Sequence, residues 1–238
     1  MLCAACGADN PEGARFCSHC GQAQVPRADE RRIVTVLFAD LVGFTSLSEQ
    51  RDPESVKYLV DRVFQKLVAD LTEFGGVVDK IVGDAILALF GAPTAHEDDP
   101  ERAVRAALHM QRALPDHAAD IGDDLQLRIG VNTGEVLVGQ LRAGGDWTAM
   151  GDVVNLASRL QTRAEPGEVL VGPATHEATT STIEYESRGS ASVKGRDAPI
   201  EVHAAIGAHR PPGYRPRRLN APLVGRAPEF SMLTNAVE

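Results

Sequence analysis

Two aspartates, Asp40 and Asp84, stand at the ends of apolar strand patterns, where carboxylates can hold a cation. The run VTVLFA, residues 34 to 39, is apolar enough for a buried strand, and Asp40 closes it. Downstream, VVDKIV and AILALF flank Gly83-Asp84, the pattern of two short strands joined by a two-residue hairpin with glycine first. If these strands are sheet neighbours, the carboxylates of Asp40 and Asp84 converge at one edge. There they repel, and each raises the other's pKa unless a cation intervenes. A pair of Mg2+ or Mn2+ ions held by carboxylates and phosphate oxygens resolves that conflict. The turn after Asp40, Gly43-Phe44-Thr45-Ser46, reads as a helix start whose N–H groups and dipole suit phosphate. Asp also caps helices and fills turns, so either aspartate alone has an ordinary structural explanation.

A second set lies in GDVVNLASRLQTRA. Asn155 and Arg159 are four residues apart and share a face of a helix. A guanidinium is always charged and offers phosphate a fork of donors. The ordinary explanation of such a pair is a solvated polar face.

All four cysteines fall within the first twenty residues, as Cys3-x2-Cys6 and Cys17-x2-Cys20. Each pair forms a knuckle, and four thiolates make a closed tetrahedral zinc site, structural rather than catalytic. Two disulfides are the competing pairing, disfavoured in a reducing compartment. His19 lies inside the second knuckle, where four thiolates already complete the shell.

The elements that must position these groups are legible in outline. The chain has 238 residues and a formal charge of −9, from 33 acidic and 24 basic side chains. That balance argues against a non-specific nucleic-acid binder. The longest apolar run is far too short to span a bilayer, and the N-terminus lacks a signal-peptide core. The expectation is a soluble, cytoplasmic chain with neither nucleic acid nor membrane as partner. Residues 1–22 form the four-cysteine knuckle and 23–31 a polar linker. Residues 32–207 form an α+β domain with one mixed sheet, in which strand and helix patterns alternate. Residues 208–238 are a Pro- and Arg-rich linker, with Arg215, Arg217 and Arg218, running into a short tail.

Within the domain, residues 53 to 74 read as a helix behind an Asp-Pro start. DDPERAVRAALHMQRAL reads as a second helix ended by Pro115. LQLRIGVNTGEVLVGQ reads as two strands around a Thr-Gly turn. GEVLVG, STIEYES and APIEVHAAI read as further strands.

VTVLFADLVGFTSLSE, DKIVGDAILALFGAP and WTAMGDVVNLASRL, in this order and spacing, resemble the class III adenylyl/guanylyl cyclase catalytic domain over residues 33 to 206. The resemblance implies a ferredoxin-like fold and a dimer with sites at its interface. It implies conversion of a nucleoside triphosphate to a 3′,5′-cyclic monophosphate and pyrophosphate. Asp40 and Asp84 match the metal-binding aspartates. Lys80 matches the lysine that reads adenine, where guanylyl cyclases carry glutamate, so ATP is the expected substrate and adenylate cyclase the expected activity. Thr148 stands where many members have a base-reading aspartate and is similar to the bicarbonate-responsive branch. Asn155 matches the residue that orients the ribose, and Arg159 the one that stabilises the transition state. Phe44 and Thr45 fall in the phosphate-facing turn, and Lys194 matches a basic residue near the terminal phosphates. Both halves of the set are present, so a homodimer would hold two complete sites. The tail is similar to the opening of an ATPase module, with Ala227 departing from that pattern, which makes a regulatory module or partner protein a further expectation. Two other readings stay open: a cyclase-like module that binds nucleotide without turnover, and an adaptor centred on the zinc knuckle.

Overall fold

The computed structural model describes residues 3, 6–11, 14, 16–21, 30–43, 52–119, 125–140, 147–191, 199–214, 225 and 227–235. Strand β1 (Glu30–Val42) leads to helix α1 (Pro53–Glu73), the hairpin β2 (Val77–Val82) and β3 (Ala85–Phe90), helix α2 (Asp99–His117) and strand β4 (Gln126–Gln140). Then come β5 (Trp147–Met150), α3 (Asp152–Arg163), β6 (Val169–Val171), α4 (Pro173–Thr179), β7 (Ile183–Ala191), β8 (Ile200–Ala208) and α5 (Ala227–Asn235). The sheet runs β2-β3-β1-β4-β6-β8-β7, with β5 paired to the far end of β4. The first four strands in space, β2-β3-β1-β4, are all antiparallel and carry the two crossover helices of a ferredoxin-like unit. Among the described strands, only β6 joins in parallel, to β4.

Strand alternation sorts the core into layers. Leu37, Ala39 and Leu41 of β1 face Phe64, Leu67 and Leu71 of α1 and Val104, Met110 and Leu114 of α2. Each such leucine, fully buried, stabilises the fold by roughly 2 kcal/mol. Val34 and Val36 face the other way, with Leu87, Leu89, Val136 and Val138, against Val153 and Ala157 of α3. Asp40 continues that second row, so its side chain emerges on the α3 side of the sheet.

The segment expected as two strands around Thr133-Gly134 is one strand of 15 residues. Its glycines mark close approach, not a turn. A Cβ on Gly130 would lie 2.2 Å from the Ala157 carbonyl oxygen and 2.3 Å from the Gln161 nitrogen. A Cβ on Gly134 would lie 2.7 Å from Val153 Cγ2. Bare backbone at these two positions lets α3 lie flat on β4. Helix α2 also runs past Pro115 to His117, because the Leu114 carbonyl still accepts from the Ala118 N–H at 2.8 Å. Strand β5 and helix α4 belong to no element of the sequence reading. No helix among the described residues is long and apolar enough to cross a membrane.

Candidate active site

The β2–β3 turn is Gly83-Asp84, with Gly83 at φ 63°, the left-handed region that glycine enters without strain. Asp40 is the cross-strand partner of Ala85, directly after that turn. The Leu41 N–H donates to the Asp84 carbonyl oxygen at 3.1 Å, tying the end of β1 to the hairpin tip. The Asp84 carboxyl lies close enough to Asp40 for its charge to act on it. Burial first, and then the charge of Asp84, hold Asp40 above the ordinary carboxylate range, while Arg128 and Gln161 oppose that rise.

Arg128 is the residue of β4 paired with Asp40. Its Nε is sealed from solvent and makes no hydrogen bond among the described residues. Gln161, in the last turn of α3, donates from Nε2 to Asp40 Oδ2 at 3.0 Å. Neither residue was singled out from the sequence, although Gln161 left a signal. Val153, Leu156, Ala157 and Leu160 form the buried stripe of α3, and the next position in that spacing is this glutamine, only 8% exposed. A buried polar side chain on an apolar stripe requires a partner.

Asn155 is exposed and Arg159 half-buried on α3. At about 100° per residue, they point roughly 120–160° around the helix from Gln161. The helix therefore carries Asn155 and Arg159 on a face turned away from Asp40. Lys80 is exposed on β2, with Nζ 3.3 Å from Asp79 Oδ2. Asp79 itself is the bulged residue between Val78 and Lys80, and its side chain is 1% exposed. Thr148 pairs with Gly139 through its backbone in β5. The Thr148 side chain, Phe44, Thr45 and the helix start expected there, Lys194, and the run at Arg215, Arg217 and Arg218 all lie outside the described residues. A cleft of about 620 Å³, lined by His96, Asp98, Glu101 and Tyr214 among others, belongs to the opposite end of the sheet.

The aspartate pair suits a hard divalent cation: two carboxylates converge, and Arg128 opposes the rise of the Asp40 pKa. At the N-terminus, the sulfurs of Cys3, Cys6, Cys17 and Cys20 all lie within 4.8 Å of one another, which fits a zinc thiolate centre. Asn10 is buried beneath it. Asn10 Nδ2 donates to Cys17 Sγ at 3.4 Å and Oδ1 accepts from the Ser18 N–H at 2.8 Å. The backbone N–H groups of Cys20 and His19 and the Asn10 amide draw the Cys17 thiol down to about 6. Cys6 is pushed up to about 12, the neighbouring thiols and burial outweighing a backbone hydrogen bond from Ala8 that lowers it.

The fold is that of the class III nucleotide cyclase domain. Residues 27–205 match the family described as the adenylate and guanylate cyclase catalytic domain, and the chain belongs to that family, whose members act on nucleotide substrates. Residues 2–23 match a zinc-ribbon domain. Adenylate cyclase 1 of Rhizobium meliloti is 30% identical over 193 residues, 77% of this chain and 29% of the relative. The chain thus spans about a third or less of the curated relatives it matches, such as the Mycobacterium tuberculosis protein Rv1318c, of which it covers 34% at 32% identity. The crystal structure of the adenylyl cyclase CyaB from P. aeruginosa superposes with a TM-score of 0.73 at 31% identity, over 77% of this chain and 98% of that one. The guanylyl cyclase Cya2 superposes with a TM-score of 0.72 at 34% identity, over 78% and 97%.

Proposed function

We propose that the domain is an adenylate cyclase that turns ATP into 3′,5′-cyclic AMP and pyrophosphate at a homodimer interface, in intracellular signalling. The observation that carries this reading is the division of α3. Its Gln161 side touches Asp40 of its own chain, and its Asn155/Arg159 side faces away, as a helix serving a partner's site would.

In this reading Asp40 and Asp84 hold two Mg2+ or Mn2+ ions. Those ions would draw electron density from the phosphate oxygens and make the ribose 3′-hydroxyl more acidic. Asn155 of the partner protomer orients the ribose. Arg159 of the partner protomer presents its guanidinium to the α-phosphate, where charge shifts as the 3′-oxygen bonds to phosphorus and pyrophosphate leaves. Lys80 of the partner protomer donates to the adenine edge, and Thr148 of the partner protomer donates or accepts there. Phe44 and Thr45 line the phosphate turn, and Lys194 meets the terminal phosphates. Adenine preference rests on Lys80 together with the similarity to adenylate cyclase 1; the similarity to the guanylyl cyclase Cya2 is why both nucleotides belong in the test.

Purified protein is incubated with ATP or GTP and with Mg2+ or Mn2+, and the products are separated chromatographically. Cyclic AMP from ATP in excess over cyclic GMP from GTP is the expected result. No cyclic nucleotide from either substrate would sink the proposal.

A further inference from the structure

We propose that Gln161 is a positioning residue for the divalent-cation site: it fixes the Asp40 carboxylate so that one oxygen remains for a cation shared with Asp84. The inference rests on the two-aspartate metal site proposed above, and on contacts made within one chain.

The chain of contacts begins on β4. Gly130 has no Cβ, and the backbone of α3 occupies that space, with the Ala157 oxygen and the Gln161 nitrogen both within 2.3 Å of where the Cβ would be. The last turn of α3 is therefore seated on the sheet backbone, and the root of Gln161 has no room to shift. Gly130 pairs with Phe38 on β1, and Arg128 with Asp40. The helix is thus pinned two cross-strand pairs away from the carboxylate, on the same face of the sheet. From there the buried Gln161 side chain reaches Asp40 Oδ2 at 3.0 Å.

The orientation of the amide follows from chemistry. An ionised carboxylate only accepts, so the NH2 end must face Asp40. The Oε1 end is 3.5 Å from the Thr162 hydroxyl, whose proton goes chiefly to the Ser158 carbonyl oxygen at 3.0 Å, so the Asp40 carboxylate alone sets the amide's direction. Arg128 stands across the strand pair, its Nε buried and unpartnered among the described residues. Asp40 is thus held by a neutral donor on the helix side and faced by a cation on the sheet side. Without the Gln161 N–H, repulsion from Asp84 is free to rotate the Asp40 side chain out of the shared position. A donor behind a ligating carboxylate sets the ligand's aim and tunes the affinity of the ion.

The experiment uses the full chain, in wild-type form and as Gln161→Leu and Gln161→Glu. Leucine removes the donor at similar volume; glutamate keeps the shape and turns the donor into a repelling carboxylate. Mn2+ is titrated in the presence of 3′-deoxy-ATP, which cannot cyclise, and free Mn2+ is read by electron paramagnetic resonance. Thermal melting checks the fold of each variant, and glutamate, the isosteric change, carries the test if leucine does not fold. The expected result is Mn2+ affinity at least about tenfold weaker in the folded variants. The cyclisation rate of Gln161→Leu should return to within about twofold of wild type at saturating Mn2+, with the nucleotide KM changed less than about twofold, as weakened ion affinity alone requires. Folded variants that bind Mn2+ as tightly as wild type overturn this proposal alone. So does a variant whose rate is not recovered by any Mn2+ concentration, since that is the signature of a structural role. Wild-type protein that takes up no Mn2+ overturns the metal-site reading and this proposal with it.

Discussion

The Leu41 N–H donates to the carbonyl oxygen of Asp84 at 3.1 Å, so the strand that carries one carboxylate is stapled to the turn that carries the other. Two acidic groups that would separate if their elements could move are held together by backbone. Burial, and then the charge of Asp84, hold the Asp40 carboxyl above the ordinary carboxylate range.

That relationship sets activity against stability at one position. A carboxylate whose folded pKa is raised destabilises the fold once it ionises, because the unfolded chain accommodates the charge more easily. Asp40→Asn keeps an acceptor for Gln161 and adds a donor toward Asp84. It should raise the melting temperature of metal-free protein at pH 7 by a few degrees and lower the cyclisation rate at least ~100-fold, the scale of removing one positioned electrostatic group. A melting temperature that falls would contradict the strain assigned to the pair.

The division of α3 into two faces predicts complementation. Asp40→Ala and Arg159→Ala proteins should each be inactive alone. Mixed under conditions that exchange protomers, they should recover a measurable fraction of wild-type cyclic AMP production. In each mixed dimer, one site then combines an intact aspartate pair with an intact Arg159. Confirmed mixed dimers without activity would place both groups in the same chain's site.

Base choice is tested at Lys80. Its ammonium, exposed on β2 and 3.3 Å from Asp79, is a donor that a base edge can meet. Lys80→Glu replaces donors with acceptors, and the ratio of kcat/KM for ATP to that for GTP should fall at least about tenfold, since a mismatched hydrogen-bond edge leaves a buried polar group unpaired. An unchanged ratio would assign base reading elsewhere.

Acid sensitivity has an identifiable source outside the site. His176 on α4 stacks on His203 of β8 at 3.7 Å between ring centroids, with Tyr185 edge-on to both. Burial, and then the charge of His203, lower the His176 pKa below 6.5, against a smaller opposing pull from Glu201. The unfolded chain therefore takes up a proton on His176 that the folded chain refuses. The stability this represents is intact above pH 6.5 and is lost as the pH falls through that value toward the folded pKa. Melting temperatures measured from about pH 7.5 to about pH 5.5 should fall less steeply in His176→Asn than in wild type. Parallel curves would remove His176 from the account.

Seating of α3 depends on a missing side chain. Gly130→Ala must push apart helix and sheet backbones that cannot give, at a cost of about 3 kcal/mol or more. For a domain of this size the melting temperature should drop by roughly 10 °C. Gly134→Ala, which meets only a valine methyl, should cost clearly less. Equal effects would show that the backbone contact at Gly130 is not special.

Much of the architecture was legible because its signals are local. The apolar strand before Asp40, the Gly83-Asp84 hairpin and the helical spacing from Val153 to Leu160 each depend on neighbours within a few residues, and so does the cysteine pairing. The same local reasoning misjudged Gly134. It read a turn signal where glycine serves a helix approaching from the other side of the sheet, and Pro115 as a stop where the helix continues to His117. Gln161 and Arg128 were passed over because nothing near them in the chain says that Asp40 lies beside them.

The sequence by itself determined which groups are available: two carboxylates, an Asn/Arg helix face and four thiols, each set by residue type and short-range spacing. Only the tertiary structure decided which of them meet. It brought Asp40 to Asp84, placed Gln161 and Arg128 around them, and turned Asn155 and Arg159 away. Those relations span 44 residues from Asp40 to Asp84 and 121 from Asp40 to Gln161. Over such distances proximity is set by sheet order and helix packing, which no local pattern encodes.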